Sequence, residues 1–239
     1  VRTKAIFIWW VLCHPVPPIR RPFPRSIADA SQEGRPYGRW EERLRDAFAA
    51  ECEPLGAEAG PALDPETLKW FPDRAWGGRV YVPASGRGAA SGDGPATEYF
   101  GWVSFAQGDD GDEPADLRAR ADFTDVTAED NPDWRIDLND DVIGRWRTDG
   151  GRGGDVTLIW GLPLVRGAVA VTAELEGDTV DQAPVVDGRF TLVAVDAVHG
   201  FGDDIFLEVK LWSRAVRELA AESLYDEPDP EPQAEPQAG

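Results

Sequence analysis

Along residues 39–53 the apolar positions fall four apart. Trp40, Leu44, Phe48 and Cys52 line up with Ala47 beside them, while Glu41, Glu42, Arg45, Asp46 and Ala49 point the other way. That spacing predicts a surface helix with one stripe on a core, ended by Pro54 and Gly56. Pro65 suits the first turn of a short helix over 65–70. From Arg79 onward the period changes to two. Arg79–Pro83, Thr97–Phe105, Leu117–Val126 and Trp134–Leu138 read as strands, with a Gly/Ser/Ala loop over 84–94 and an acidic loop over 107–114 between them.

The alternation is plainest in the later half: Val156, Leu158, Trp160; then Val169, Val171, Ala173, Leu175; then Ile205, Leu207, Val209, Leu211. Phe190–Val198 is apolar in both phases, as a central strand would be. Gly177-Asp178 marks a turn, and Asp187-Gly188 marks a two-residue hairpin. Ser213 is expected to cap a last helix over 213–225, with Val216, Leu219, Ala220 and Leu224 on one face. Strands at short spacing with no helices between them predict an α+β fold dominated by antiparallel strands. A sandwich or a partly closed barrel is expected, with one helix in the N-terminal half and one at the C-terminal end.

Composition divides the chain in three. Residues 1–34 hold a basic, apolar and Pro-rich segment; residues 1–28 contain no acid. Its apolar run Ala5–Cys13 is too short to span a bilayer. Three readings stand for it: a buried strand before a Pro-rich loop, a degenerate export signal, or sequence upstream of the true start. Residues 35–225 form an acidic, β-rich globular domain. Residues 226–239, acidic and Pro-rich, cannot bury enough apolar surface to order themselves and are expected to be a disordered tail. No transmembrane span is expected. The compartment expected is the cytoplasm, or export if residues 1–16 act as a signal.

Charge narrows the function classes. The formal net charge is −20, which disfavours nucleic acid, because binding there relies on Lys and Arg releasing counterions. It favours a basic partner or cations. Lysine occurs only at Lys4, Lys69 and Lys210. Cys13 and Cys52 show no zinc-type spacing; one bridge between them would need an oxidising compartment. No GxSxG nucleophile elbow occurs, and Gly150-Gly151-Arg152-Gly153-Gly154 lacks the Lys-Ser/Thr of a phosphate-binding loop.

Two acidic loops, 137–141 and 199–204, are the candidates for chemistry. Asp137, Asn139 and Asp141 match the first three ligand positions of a calcium-binding loop, but Val142 replaces its glycine and Thr148 its glutamate. Arg135, Arg145 and Arg147 are near enough in sequence to offset the carboxylates instead. His199, Asp203 and Asp204 form the second set, in a Gly-rich loop between two strands. A divalent cation is the one cofactor these residues would hold. Trp70, Trp76 and Trp102, in an aromatic-rich middle region, are either core or binding anchors. The leading expectation is a non-catalytic acidic binding protein, of the inhibitor, immunity or assembly-factor type, acting on a basic protein. The alternatives are a metal-assisted hydrolase or calcium-stabilised module using 137–141 and 199–204, and a small-ligand β-barrel.

Overall fold

The computed structural model describes residues 40–56, 61–89, 97–106, 114–147, 153–175, 177–195 and 207–224. The basic leader, the loop carrying His199, Asp203 and Asp204, and the acidic tail lie outside the described residues. The one α-helix among the described residues, α1 (Glu41–Cys52), carries the expected stripe: Leu44, Phe48 and Cys52 are buried. Pro65–Thr67 forms a single 3-10 turn, where Asp64 Oδ1 accepts from the Glu66 N–H at 3.0 Å.

Twelve described strands form three antiparallel sheets. The first joins β1 (Lys69–Trp70), β3 (Arg79–Arg87), β4 (Glu98–Ala106) and β5 (Ala115–Thr124) in that order, with β2 (Arg74–Trp76) also paired to β3. The second is β10 (Phe190–Val195), β7 (Gly153–Pro163) and β6 (Ile136–Arg147). The third is β12 (Glu218–Ser223), β11 (Leu207–Ser213), β8 (Ala168–Leu175) and β9 (Asp178–Pro184). The sheets stay open rather than closing into a barrel.

The alternation along each strand stacks these layers. On β3 and β4, Val82, Ala84, Tyr99, Val103 and Phe105 pack against Leu44, Phe48 and Cys52 of α1. The opposite face of the first sheet sends Tyr81, Phe100 and Trp102 against Leu158 and Trp160 of β7. The other face of the second sheet, with Ile136, Ile159, Phe190, Leu192 and Ala194, meets Val171, Ala173, Leu207, Val209 and Leu211 of the third. The second sheet is therefore covered on both faces. That is why Val156 through Trp160 are all buried and why β10 is apolar in both phases. Each fully buried Leu, Ile or Phe contributes about 1.5–3 kcal/mol.

Three expectations are corrected. The C-terminal helix is absent: residues 213–223 complete a hairpin, with Leu211 opposite Ala220 and Glu208 opposite Ser223. Ser213 does cap, but it caps a turn, its Oγ accepting from the Arg217 N–H at 3.1 Å. The Glu- and Ala-rich sequence suits a helix, yet pairing with β11 buries Ala220 against the third-sheet core; tertiary context overrides a weak propensity. The Gly/Ser/Ala loop over 84–94 is also corrected at its start, because β3 runs on to Arg87 with Ala84, Ser85 and Gly86 buried. A Cβ at Gly86 would come within 2.8 Å of Leu63 Cδ1, so small residues are needed where the Leu63–Leu68 segment crosses the strand. Finally, 137–141 is no loop: it lies inside β6. The hairpin at Asp187-Gly188 is as expected, with φ of 50° and 72°.

Candidate functional site

The described residues enclose a cleft of about 560 Å³ between the first two sheets. The turn Glu66–Lys69 forms one wall, with the end of β3 (Ser85, Gly86, Arg87) and Glu98 at the start of β4. The segment Thr127–Glu129 forms another, and Asp137, Leu162 and Leu164 supply the side from the second sheet.

Local hydrogen bonds fix these walls. Thr67 Oγ1 donates to the Asp64 carbonyl at 2.7 Å and accepts from the Arg87 N–H at 2.7 Å, tying the 3-10 turn to the end of β3. Thr127 Oγ1 donates to Asp130 Oδ2 at 2.9 Å, and Asn131 Nδ2 donates to the Thr127 carbonyl at 2.9 Å, which shapes the turn that presents Glu129. An ion pair from Arg87 to Glu129 closes that side.

Period-two alternation brings the remaining groups in. Cross-strand partners share a face, so Lys69, opposite Ser85, looks toward the second sheet. Ser85 lies close enough to Glu98 to favour its charged form. Asp137, opposite Leu162 on β7, looks back. Burial pushes the Glu98 carboxyl above its ordinary range, and the Asp137 charge raises it further; Ser85, Arg87 and Lys69 offset part of this. Burial likewise raises Asp137, with Lys69 opposing. The walls thus carry four carboxylates, Glu66, Glu98, Glu129 and Asp137, against two cations, Lys69 and Arg87. Arg87 is engaged by Glu129 while also acting on Glu98, and Lys69 acts on both Glu98 and Asp137. Chemically, the arrangement can hold a cation, or hold a proton on one of two facing carboxyls.

Of the residues singled out from sequence, Asp137 lies in this cleft. Asn139 follows it on the same face of β6. Asp141 serves elsewhere: its Oδ2 accepts from Trp102 Nε1 at 2.7 Å, and its Oδ1 pairs with Arg120 at 3.0 Å. It clips the first sheet to the second. Two of the arginines expected to offset the acidic run are engaged otherwise, Arg145 with Asp155 at 2.8 Å and Arg135 with the Leu219 carbonyl at 2.6 Å. Because Asp137, Asn139 and Asp141 sit two apart on a strand, each step separates them by about 6.6 Å, wider than a shell of ligands at about 2.3–2.6 Å allows without distortion. Among the described residues, no three His, Cys, Asp or Glu side chains converge to hold a metal ion.

The tryptophans pack between layers. Trp70 lies edge-on to Phe48, ring centroids 6.4 Å apart. Trp76 covers Gly144, where a Cβ would meet its ring at 2.4 Å. Trp102 stands edge-on to Tyr81 at 5.4 Å. None of the three lines the cleft. Sequence reasoning missed Glu98, Lys69, Ser85 and Glu129. The one signal available was the scarcity of lysine, which makes Lys69 conspicuous. Among the described residues, no helix is long and apolar enough to cross a membrane. Comparison with known protein families, with curated proteins and with solved structures finds no match for the chain.

Proposed function

We propose that the chain is a non-catalytic binding protein whose acidic cleft receives a Lys or Arg side chain of a basic protein partner. One observation carries this: Glu66, Glu98 and Asp137 line one cleft, in which Lys69 is the one cation among the described lining residues without an ion pair to a described carboxylate. Ionised carboxylates in a partly desolvated cleft gain from an incoming cation what they lack from water. The net charge of −20 would speed encounter with a basic partner. Leu68, Leu162 and Leu164 on the walls suit the methylene stem of such a side chain.

The test is calorimetric titration with a capped tetralysine peptide at low and at high salt. Glu98→Gln and Asp137→Asn are each expected to weaken binding about three- to tenfold at low salt, since each removes one close charge. Equal binding by wild type and both variants would refute the assignment.

A second function has some support. Two carboxyls on facing sheets, both raised by burial, suit general acid–base work. Hydrolysis of a model ester or glycoside, lost in both Glu98→Gln and Asp137→Asn, would favour it over simple binding.

A further inference from the structure

We propose that Lys69 is a tethered counter-ion of the cleft, a built-in competitor that an incoming ammonium or guanidinium group must displace, and that it thereby sets the affinity of the site. This role presupposes the cation-binding function above. Lys69 sits in the two-residue strand β1, opposite Ser85. That register places it on the same face as Ser85, which lines the cleft with Glu98, and across the cleft from Asp137. Its charge acts on both Glu98 and Asp137. Yet, unlike Arg87, which is closed onto Glu129, Lys69 makes no ion pair within 4 Å of a described carboxylate.

An exposed lysine on a flexible stem, held near two carboxylates but bonded to neither, is a mobile charge. It keeps the cleft from carrying the full repulsion of its acids when nothing is bound. A partner's cation entering the cleft then meets one like charge as well as three opposite ones. Swinging Lys69 out to solvent removes that repulsion but forfeits its attraction to Glu98 and Asp137, and that loss is what lowers the affinity for the incoming cation.

The experiment compares Lys69→Gln with Arg214→Gln, which makes the same charge change at an exposed turn of the third sheet. Both are titrated calorimetrically with capped tetralysine, beside wild type and Asp137→Asn. Lys69→Gln is expected to bind roughly three- to tenfold more tightly than wild type at low salt, the gain shrinking as salt rises. Arg214→Gln is expected to stay within about twofold, as remote charges are screened. If Lys69→Gln binds equally or more weakly while Asp137→Asn still weakens binding, Lys69 is not a competitor, and the cleft remains the cation site. If neither wild type nor Lys69→Gln binds the peptide, the cation-binding function itself fails, and this role of Lys69 with it.

Discussion

Asp141 separates two accounts of the acidic run in β6. As an interlayer clip, its side chain is only 14% exposed and holds Trp102 Nε1 at 2.7 Å and Arg120 at 3.0 Å. Truncating it to alanine strands the indole N–H between the sheets, which costs about 1–3 kcal/mol. Arg120, whose side chain is 61% exposed, returns to water, so its share is about 0–1 kcal/mol. Asp141→Ala should therefore destabilise the fold by about 1–4 kcal/mol. Asp141→Asn keeps an oxygen for Trp102 and loses only the charge, so about 1 kcal/mol is expected. A double-mutant cycle with Trp102→Phe should recover a coupling of about 1–2 kcal/mol for the charge-assisted bond. Urea unfolding at pH 7 measures the wild type and every variant. The clip is refuted if both Asp141 variants lie within about 0.5 kcal/mol of wild type. Calcium raising the wild-type melting temperature but not that of Asp141→Asn would return Asp141 to the role of a metal ligand.

Gly161→Ala would place a Cβ 2.2 Å from the Asp137 carbonyl oxygen and 3.0 Å from Phe190 Cζ. Forcing β6 off β7 there should cost about 2–4 kcal/mol of unfolding free energy and weaken peptide binding as well, whereas Gly167→Ala, in open space at φ +88°, should leave binding unchanged. Asp137 gives a pH signature. Its folded-state pKa is raised above the ordinary 3.8 by burial, so ionisation costs the native state; the penalty is absent below 3.8, grows as pH rises through the folded value, and is complete above it. Asp137→Asn should thus be more stable than wild type at pH 7 and level with it at about pH 3, as read by urea midpoints, even while it binds less. Burial pushes the Cys52 thiol up to about 12, so in a Cys13→Ser background at pH 8 a thiol reagent should label Cys52 only as fast as the protein unfolds; rapid labelling of the native protein would contradict its place on the buried face of α1.

Much of the fold is visible in the period of the apolar residues. α1 and the strands of the later half follow it because each has one buried face with a single consistent phase. The C-terminal segment fails for a physical reason. Val216, Leu219, Ala220 and Leu224 suit a helical stripe, and nothing local reveals that β11 offers an unpaired edge for residues 218–223. The run at 137–141 fails differently. Its carboxylates read as a loop, although Ile136 and Leu138 alternate with them and pack on the core between the second and third sheets. The candidate site was legible only at Asp137. Lys69, Ser85, Glu98 and Glu129 lie on separate elements, up to 60 positions apart in the chain, and only strand register brings them to one cleft. Trp70, Trp76 and Trp102 attracted notice as aromatics, and the structure uses them to bind its own layers together.

The most direct test of the cation-binding cleft is amide chemical-shift mapping of the full chain during titration with capped tetralysine. The cleft account predicts that the largest saturable shifts fall at Lys69, Ser85, Arg87, Glu98 and Asp137, and that they vanish in Asp137→Asn. Shifts spread evenly over the acidic surface, or centred on Glu41 and Glu42 of α1, would contradict it.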